Sequence, residues 1–123
     1  MGGDSILVDG FAIADEIRKS APAHFGQLIR IPLTYRFRDK QTWLENSVPV
    51  ISLDLKKKIK SIAYNNRSVG PFRLDADEMA DYYEAYRAFG RMSANPKFQI
   101  RFKMEPGDLY LVNNERILHG RTA

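Results

Sequence analysis

The sequence contains no cysteine, only two histidines and no long apolar run. The absence of cysteine excludes disulfides and thiolate metal sites, which fits a reducing compartment, and we expect a cytoplasmic protein. The longest apolar runs, such as 6–8 and 109–112, are far shorter than the roughly 20 residues that a membrane-spanning helix needs. Met1 is followed by Gly-Gly-Asp, so we expect neither a membrane association nor a secretory signal.

The charge of the chain is basic, but it is not concentrated in a binding surface. The 123 residues carry a net charge of +4, and 44% of them are apolar, which is enough for one globular domain. The one dense basic run, at 56–60, lies between two strand-like segments. Short charge runs are usually solvated turns, and lysines there discourage pairing between strand edges. We therefore expect a hairpin turn and no nucleic-acid partner.

The first half of the chain is predicted to contain a strand, two helices and three further strands. A strand at 5–8 leads into a helix capped by Asp9, and a second helix starts at 20–22 with Pro22 in its first turn and ends before Pro32. Alternation predicts a strand at 33–38. A polar loop is expected at 39–47, and the segments 50–53 and 59–64 are predicted to pair through the lysine-rich turn.

The second half is predicted to contain one long helix followed by strands. Asp75 and Glu78 form a capping-box-like start for a helix that ends near Ala94. Its apolar stripe is interpreted as core packing and consists of Met79, Tyr82, Tyr83, Tyr86, Phe89 and Met92. Alternation predicts a strand from Phe98 to Met104, and another is expected at 109–112, so two or three strands follow the long helix. The whole order predicts an α+β fold, mainly β, as a helix-covered sandwich.

Four sequence blocks, in this order, carry a resemblance to a known family. They are GGDS with VDGF at 2–5 and 8–11, YNN at 64–66, MEPGD at 104–108, and NNERILHGR at 113–121. These blocks are similar to those of γ-butyrobetaine hydroxylases and trimethyllysine hydroxylases, which belong to the TauD/TfdA-like (taurine dioxygenase-like) family. The resemblance spans essentially the whole chain, which we interpret as one incomplete domain, 1–123, from the C-terminal part of a catalytic domain.

The resemblance implies a fold and a set of site residues. The implied fold is a partial double-stranded β-helix, or jelly roll, with packed helices, and the implied metal is Fe(II) held by two histidines and a carboxylate. His119 matches the last histidine of that set, presented after the strand that ends at Val112. Asn65 matches a residue whose amide contacts the substrate's carboxylate. The alternative for Asn65 is a turn-forming asparagine, and Asn66 is read as a turn former.

The chain also departs from the family's pattern. No His-x-Asp motif is present, and we expect its two ligands upstream of the GGDS block. His24 is not a substitute and is interpreted as a surface residue. The arginine that anchors 2-oxoglutarate in the family is expected beyond residue 123, and Arg121 is not assigned to that role. Asn113 and Glu115 also differ from the family's usual residues, which leaves the substrate open.

The function implied by the resemblance is hydroxylation of a small molecule such as γ-butyrobetaine, with 2-oxoglutarate as cosubstrate and ascorbate as a candidate reductant. Two alternatives remain. One is a dioxygenase of the taurine or trimethyllysine type, and the other is a non-catalytic jelly-roll module. The chain alone is expected to be inactive, and association between copies of it is left open. Tyr64 is not assigned to a cage for a trimethylammonium group.

Overall fold

The computed structural model describes residues 2–123 of the chain. The strands in this part are β1 (Ser5–Asp9), β2 (Pro32–Arg38), β3 (Trp43–Pro49), β4 (Ile51–Leu53), β5 (Ile59–Ile62), β6 (Gln99–Phe102) and β7 (Ile117–Arg121). The α-helices are α1 (Gly10–Ser20), α2 (Pro22–Arg30) and α3 (Ala76–Ala94), and a 3-10 turn covers Pro96–Phe98. Helices and strands occupy similar lengths of chain, so the α+β expectation is confirmed, whereas the structure is mixed and not mainly β.

The main sheet joins the two ends of the described chain. Its strand order is β6-β1-β7, and both pairs are antiparallel. Leu7 in the central strand lies opposite Ile100 on one side and His119 on the other. Beyond the strands, the Thr122 backbone N–H donates to the Asp4 carbonyl at 2.9 Å. A Cβ atom at Gly3 would lie 1.7 Å from the Thr122 carbonyl oxygen, so only glycine permits this approach.

Helix α1 packs on strand β7 of this sheet, and the three helices together supply most of the hydrophobic core. Ile13 and Ile17 of α1, Leu28 of α2, and Tyr82 and Phe89 of α3 are at most 1% exposed. The predicted caps are confirmed, because the Asp9 carboxylate accepts from the Phe11 backbone N–H and the Asp75 carboxylate accepts from that of Glu78. None of these helices combines the length and hydropathy that a membrane crossing requires; this statement covers residues 2–123 only.

Two two-stranded hairpins extend from this core. The β4–β5 hairpin is confirmed, with the lysine-rich turn between its strands. The expected polar loop at 39–47 is wrong, because 43–49 forms β3 and pairs with the whole of β2. Cross-strand contacts explain the pairing without an apolar alternation. Arg38 lies 4.8 Å from the Trp43 ring centroid, and the Thr34 and Ser47 hydroxyls are 3.0 Å apart.

Three expectations about apolar side chains are also wrong. Leu109 and Leu111 are 83% and 89% exposed, and the predicted strand at 109–112 has no ladder partner among residues 2–123. Tyr83 is 50% exposed, because it lies beside the buried stripe of α3 and not on it. Ile100 is 66% exposed, since β6 is an edge strand that nothing in the described part covers.

Candidate functional site

A cleft of about 1390 Å³ opens between the β2–β3 hairpin, the loop at 63–68 and strand β7. Its wall includes both residues that the sequence singled out, Asn65 and His119. These residues are far apart in sequence, and the fold brings them to one concavity. His24 lies on α2 and does not belong to the wall.

His119 is carried by β7 itself. The expectation that a strand ending at Val112 presents this residue is therefore wrong. In the paired strands, Leu118 lies opposite Val8, and both contribute to the core beneath the helices. Side chains alternate along a strand, so His119 and its partner Leu7 project from the face of the sheet opposite Val8 and Leu118. His119 is exposed accordingly.

An ion pair fixes the start of β7 beside the start of α1. The Arg116 guanidinium donates from Nε to Asp9 Oδ1 at 3.0 Å and from Nη2 to Asp9 Oδ2 at 2.8 Å. The guanidinium carbon also lies 5.0 Å from the centroid of the Phe11 ring. Hydrogen bonding from Arg116 holds the pKa of the Asp9 carboxyl below its ordinary value. Arg116 lies three residues before His119, so this contact helps to set where β7 begins.

Asn65 lies in an exposed turn at the cleft wall. Its side-chain oxygen accepts from the Arg67 backbone N–H at 2.9 Å, which is the turn-forming role considered as the alternative. This hydrogen bond involves only the Asn65 side-chain oxygen. The NH₂ group of Asn65 has no hydrogen-bond acceptor among residues 2–123. An amide held by its oxygen can still donate two hydrogens to an anion. The turn role and a ligand-contact role are therefore compatible.

Tyrosines from two elements hold the loop that carries Asn65. The Tyr35 hydroxyl, from β2, donates to the Ala63 carbonyl at 2.9 Å. Burial raises the pKa of Tyr35 to about 12, so its hydroxyl remains a donor at neutral pH. The Tyr64 ring packs 5.1 Å from the Tyr86 ring and 5.0 Å from that of Phe89, both on α3.

Asn66 has a larger role than the turn former that its sequence context indicates. Its side-chain oxygen accepts from the Tyr86 hydroxyl at 2.5 Å, and its NH₂ group donates to the Tyr64 hydroxyl at 3.3 Å. Sequence reasoning missed this residue, since an Asn-Asn pair is typical of a turn and its partner Tyr86 is remote in sequence. Asn66 therefore connects the loop to α3.

The charged side chains of the cleft are mostly basic. Arg36, Arg67, Arg121 and the carboxylate of Glu45 belong to its wall. Arg36 and Glu45 approach to 3.8 Å across the hairpin, a weak and partly exposed pair. Neither of the other two arginines has an ion-pair partner within the described residues. The excess positive charge favours an anionic ligand such as a carboxylate.

The described residues do not supply a complete metal site. Within 2–123, no three histidine, aspartate or glutamate side chains come close enough together to hold a metal ion. A two-histidine, one-carboxylate iron site needs three such donors on one side of the metal. Among the described residues of the cleft wall, His119 is the one histidine and Glu45 the one carboxylate.

Comparison with known families identifies the chain's class. Residues 1–123 match the family described as taurine catabolism dioxygenase TauD, TfdA family. The match covers the whole chain, so the chain belongs to this family.

Two relatives are similar to this chain over nearly its whole length. The chain is 40% identical over 122 residues to a gamma-butyrobetaine dioxygenase from Pseudomonas sp. (strain AK-1), which covers 99% of the chain and 32% of that protein. It is 29% identical over 128 residues to the mitochondrial trimethyllysine dioxygenase of Bos taurus, covering 99% of the chain and 30% of that protein. The chain therefore spans about a third of the length of these relatives.

A solved structure supports the family's fold. It comes from Burkholderia xenovorans and is assigned as an alpha-ketoglutarate-dependent taurine dioxygenase. The superposition has a TM-score of 0.65 and covers 98% of this chain and 41% of that one, at 16% sequence identity. At this identity the likeness concerns the fold alone.

Proposed function

We propose that the full-length protein is an Fe(II)- and 2-oxoglutarate-dependent dioxygenase that hydroxylates a small carboxylate-bearing substrate of the γ-butyrobetaine type. The observation that carries this proposal is the meeting of Asn65 and His119 at one cleft. The 40% identity to a gamma-butyrobetaine dioxygenase favours that substrate over the trimethyllysine type. A taurine-type or non-catalytic role has no comparable support in the cleft.

The fold proposed for the intact domain is a double-stranded β-helix. On one face of the main sheet Val8 and Leu118 pack in the core, and His119 projects from the other face. A second sheet packed on the His119 face would complete a two-sheet jelly roll. The likeness to the Burkholderia xenovorans structure supports this arrangement.

In this proposal the cleft residues have separate roles in metal and substrate binding. Iron with 2-oxoglutarate would supply the oxidation of an unactivated C–H bond, and the His119 imidazole would be one of three ligands, with the His-x-Asp pair outside this chain. The Asn65 NH₂ group would donate to the substrate's carboxylate, and the arginines of the wall would favour the anion electrostatically. Ascorbate remains a candidate reductant.

The experiment compares two histidine variants of the full-length protein. His119→Ala should lower succinate formation with γ-butyrobetaine by at least about 100-fold and should weaken Co²⁺ binding, because a metal ligand is lost. His24→Ala is the matched control, since it removes the other histidine from α2 outside the cleft, and it should change neither quantity. Circular dichroism should show both variants folded.

Two outcomes would contradict the proposal. If His119→Ala retains turnover and Co²⁺ affinity, the imidazole is not a ligand. If the wild-type protein forms no succinate with γ-butyrobetaine, trimethyllysine or taurine, the dioxygenase assignment to these substrates fails.

A further inference from the structure

Tyrosine side chains fix the 63–66 loop at three of its residues, which are Ala63, Tyr64 and Asn66. Ala63 accepts from Tyr35, as described above. Tyr64 inserts towards α3, and a Cβ atom at Gly90 would lie 2.6 Å from its hydroxyl oxygen, so the helix has a glycine where this ring makes its closest approach. Asn66 accepts from Tyr86. Asn65 is the residue between the last two of these points, and it belongs to the cleft wall.

The contact between Tyr86 and Asn66 is partly buried. Tyr86 is only 8% exposed, and its ring packs against those of Tyr64 and Phe72. A buried hydroxyl that loses its acceptor is costly, so this contact strongly favours one orientation of the Asn66 amide. The other end of that amide donates to the Tyr64 hydroxyl. Both ends of Asn66 are therefore tied to the aromatic cluster.

We propose that the Tyr86 hydroxyl, acting through Asn66, positions the Asn65 amide for its contact with the substrate's carboxylate. This inference rests on the proposed function. Within residues 2–123 no hydrogen bond joins the Asn65 side chain to α3, and its oxygen accepts from the Arg67 backbone N–H. The direction of its NH₂ group therefore follows the loop backbone, which Tyr35 anchors at Ala63 and Asn66 anchors to α3. Tyr86 is a positioning residue and touches no ligand.

The chain provides a matched control for removing this hydroxyl. Tyr82 lies four residues earlier on α3, is fully buried, and packs edge-on against Phe72 at 5.2 Å. Its hydroxyl has no hydrogen-bond partner among the described residues. Tyr82→Phe and Tyr86→Phe delete the same atom from the same helix and the same cluster. Only the second change removes a hydrogen bond that leads to the loop.

The test measures KM and kcat of the full-length protein with γ-butyrobetaine. Tyr86→Phe should raise KM for γ-butyrobetaine about fivefold to tenfold, the effect of losing one neutral hydrogen bond. Its kcat and its KM for 2-oxoglutarate should stay within about twofold of wild type, because only the carboxylate contact is displaced. Tyr82→Phe should change none of these. Asn65→Ala should raise KM at least as much as Tyr86→Phe, and combining the two changes should add little.

A second measurement is independent of turnover. The side-chain NH₂ resonances of Asn65, assigned by their loss in Asn65→Asp, should shift or broaden in Tyr86→Phe and remain in place in Tyr82→Phe. If they are unmoved by Tyr86→Phe, or if KM is unchanged in an active enzyme, the positioning role is refuted while the proposed function stands. If the wild-type protein is inactive but the resonances respond, the proposed function fails and the link from Tyr86 to Asn65 stands.

Discussion

Replacing Asp9 by alanine should lower the free energy of unfolding of this chain by about 2 kcal/mol. Asp9 performs two tasks at once, because its carboxylate caps α1 through the Phe11 backbone N–H and accepts both hydrogen bonds of the Arg116 guanidinium. Loss of an N-cap typically costs about 1 kcal/mol. The ion pair is about half exposed at Arg116, so screening limits it to about 0.5–1 kcal/mol.

A set of variants separates the two tasks. Asp9→Asn keeps an oxygen for the cap and removes the charge, so it should cost only about 0.5–1 kcal/mol. Arg116→Gln should also lower the free energy of unfolding, and the double variant should lower it by less than the sum of the two single changes. Urea unfolding followed by circular dichroism gives each free energy. A coupling energy below about 0.3 kcal/mol in this cycle would refute the stabilising role of the ion pair.

The same pair predicts a pH dependence. The folded-state pKa of Asp9 lies below its ordinary value of 3.8, chiefly because of the hydrogen bond from Arg116. The ionised carboxylate therefore contributes fully to stability above its ordinary pKa of 3.8. That contribution is lost as the pH falls through the lower, folded-state pKa. The stability difference between wild type and Asp9→Asn should be constant near neutrality and should shrink below about pH 4. A difference that persists at lower pH would contradict this reasoning.

Two further predictions concern the core and the lysine-rich turn. Leu28→Ala removes a fully buried side chain and should lower the unfolding free energy by about 2–5 kcal/mol, whereas Leu55→Ala, at a fully exposed position, should change it by less than about 0.5 kcal/mol. Lys57 has a φ of 62°, so Lys57→Gly should raise the unfolding free energy by about 0.5 kcal/mol, while Lys56→Gly should lower it. Equal effects within either pair, measured by urea unfolding, would contradict its prediction.

The local elements of this chain were predictable from short-range patterns. Helix α3 begins at Asp75 and ends near Ala94 because a capping aspartate, an apolar repeat and a following Asn-Pro act within a few residues of each other. The β4–β5 hairpin follows from two apolar runs around a lysine-rich turn. Strand β3 was missed, since its pairing depends on cross-strand contacts with β2 and not on alternation.

The sequence predicted individual residues of the candidate site but not their arrangement in space. Motif resemblance singled out Asn65 and His119, but no local pattern indicates that they share a cleft. The role of Asn66 was not predictable either. Its side-chain oxygen accepts a hydrogen bond from Tyr86, which lies on a helix that begins ten residues later. The predicted strand at 109–112 failed for the same reason, because an apolar run forms a strand only when the fold supplies a partner.

The sequence by itself determined the helix starts, the apolar stripes and the family to which the chain belongs, because each is encoded in neighbouring residues or in ordered motifs. Only the tertiary structure decided that β1 pairs with β7, so that residues from the two ends of the chain are adjacent and His119 projects from the face opposite Val8 and Leu118. It also decided that three tyrosines hold the loop of Asn65. Such contacts depend on distances between remote elements, which short-range propensities do not specify.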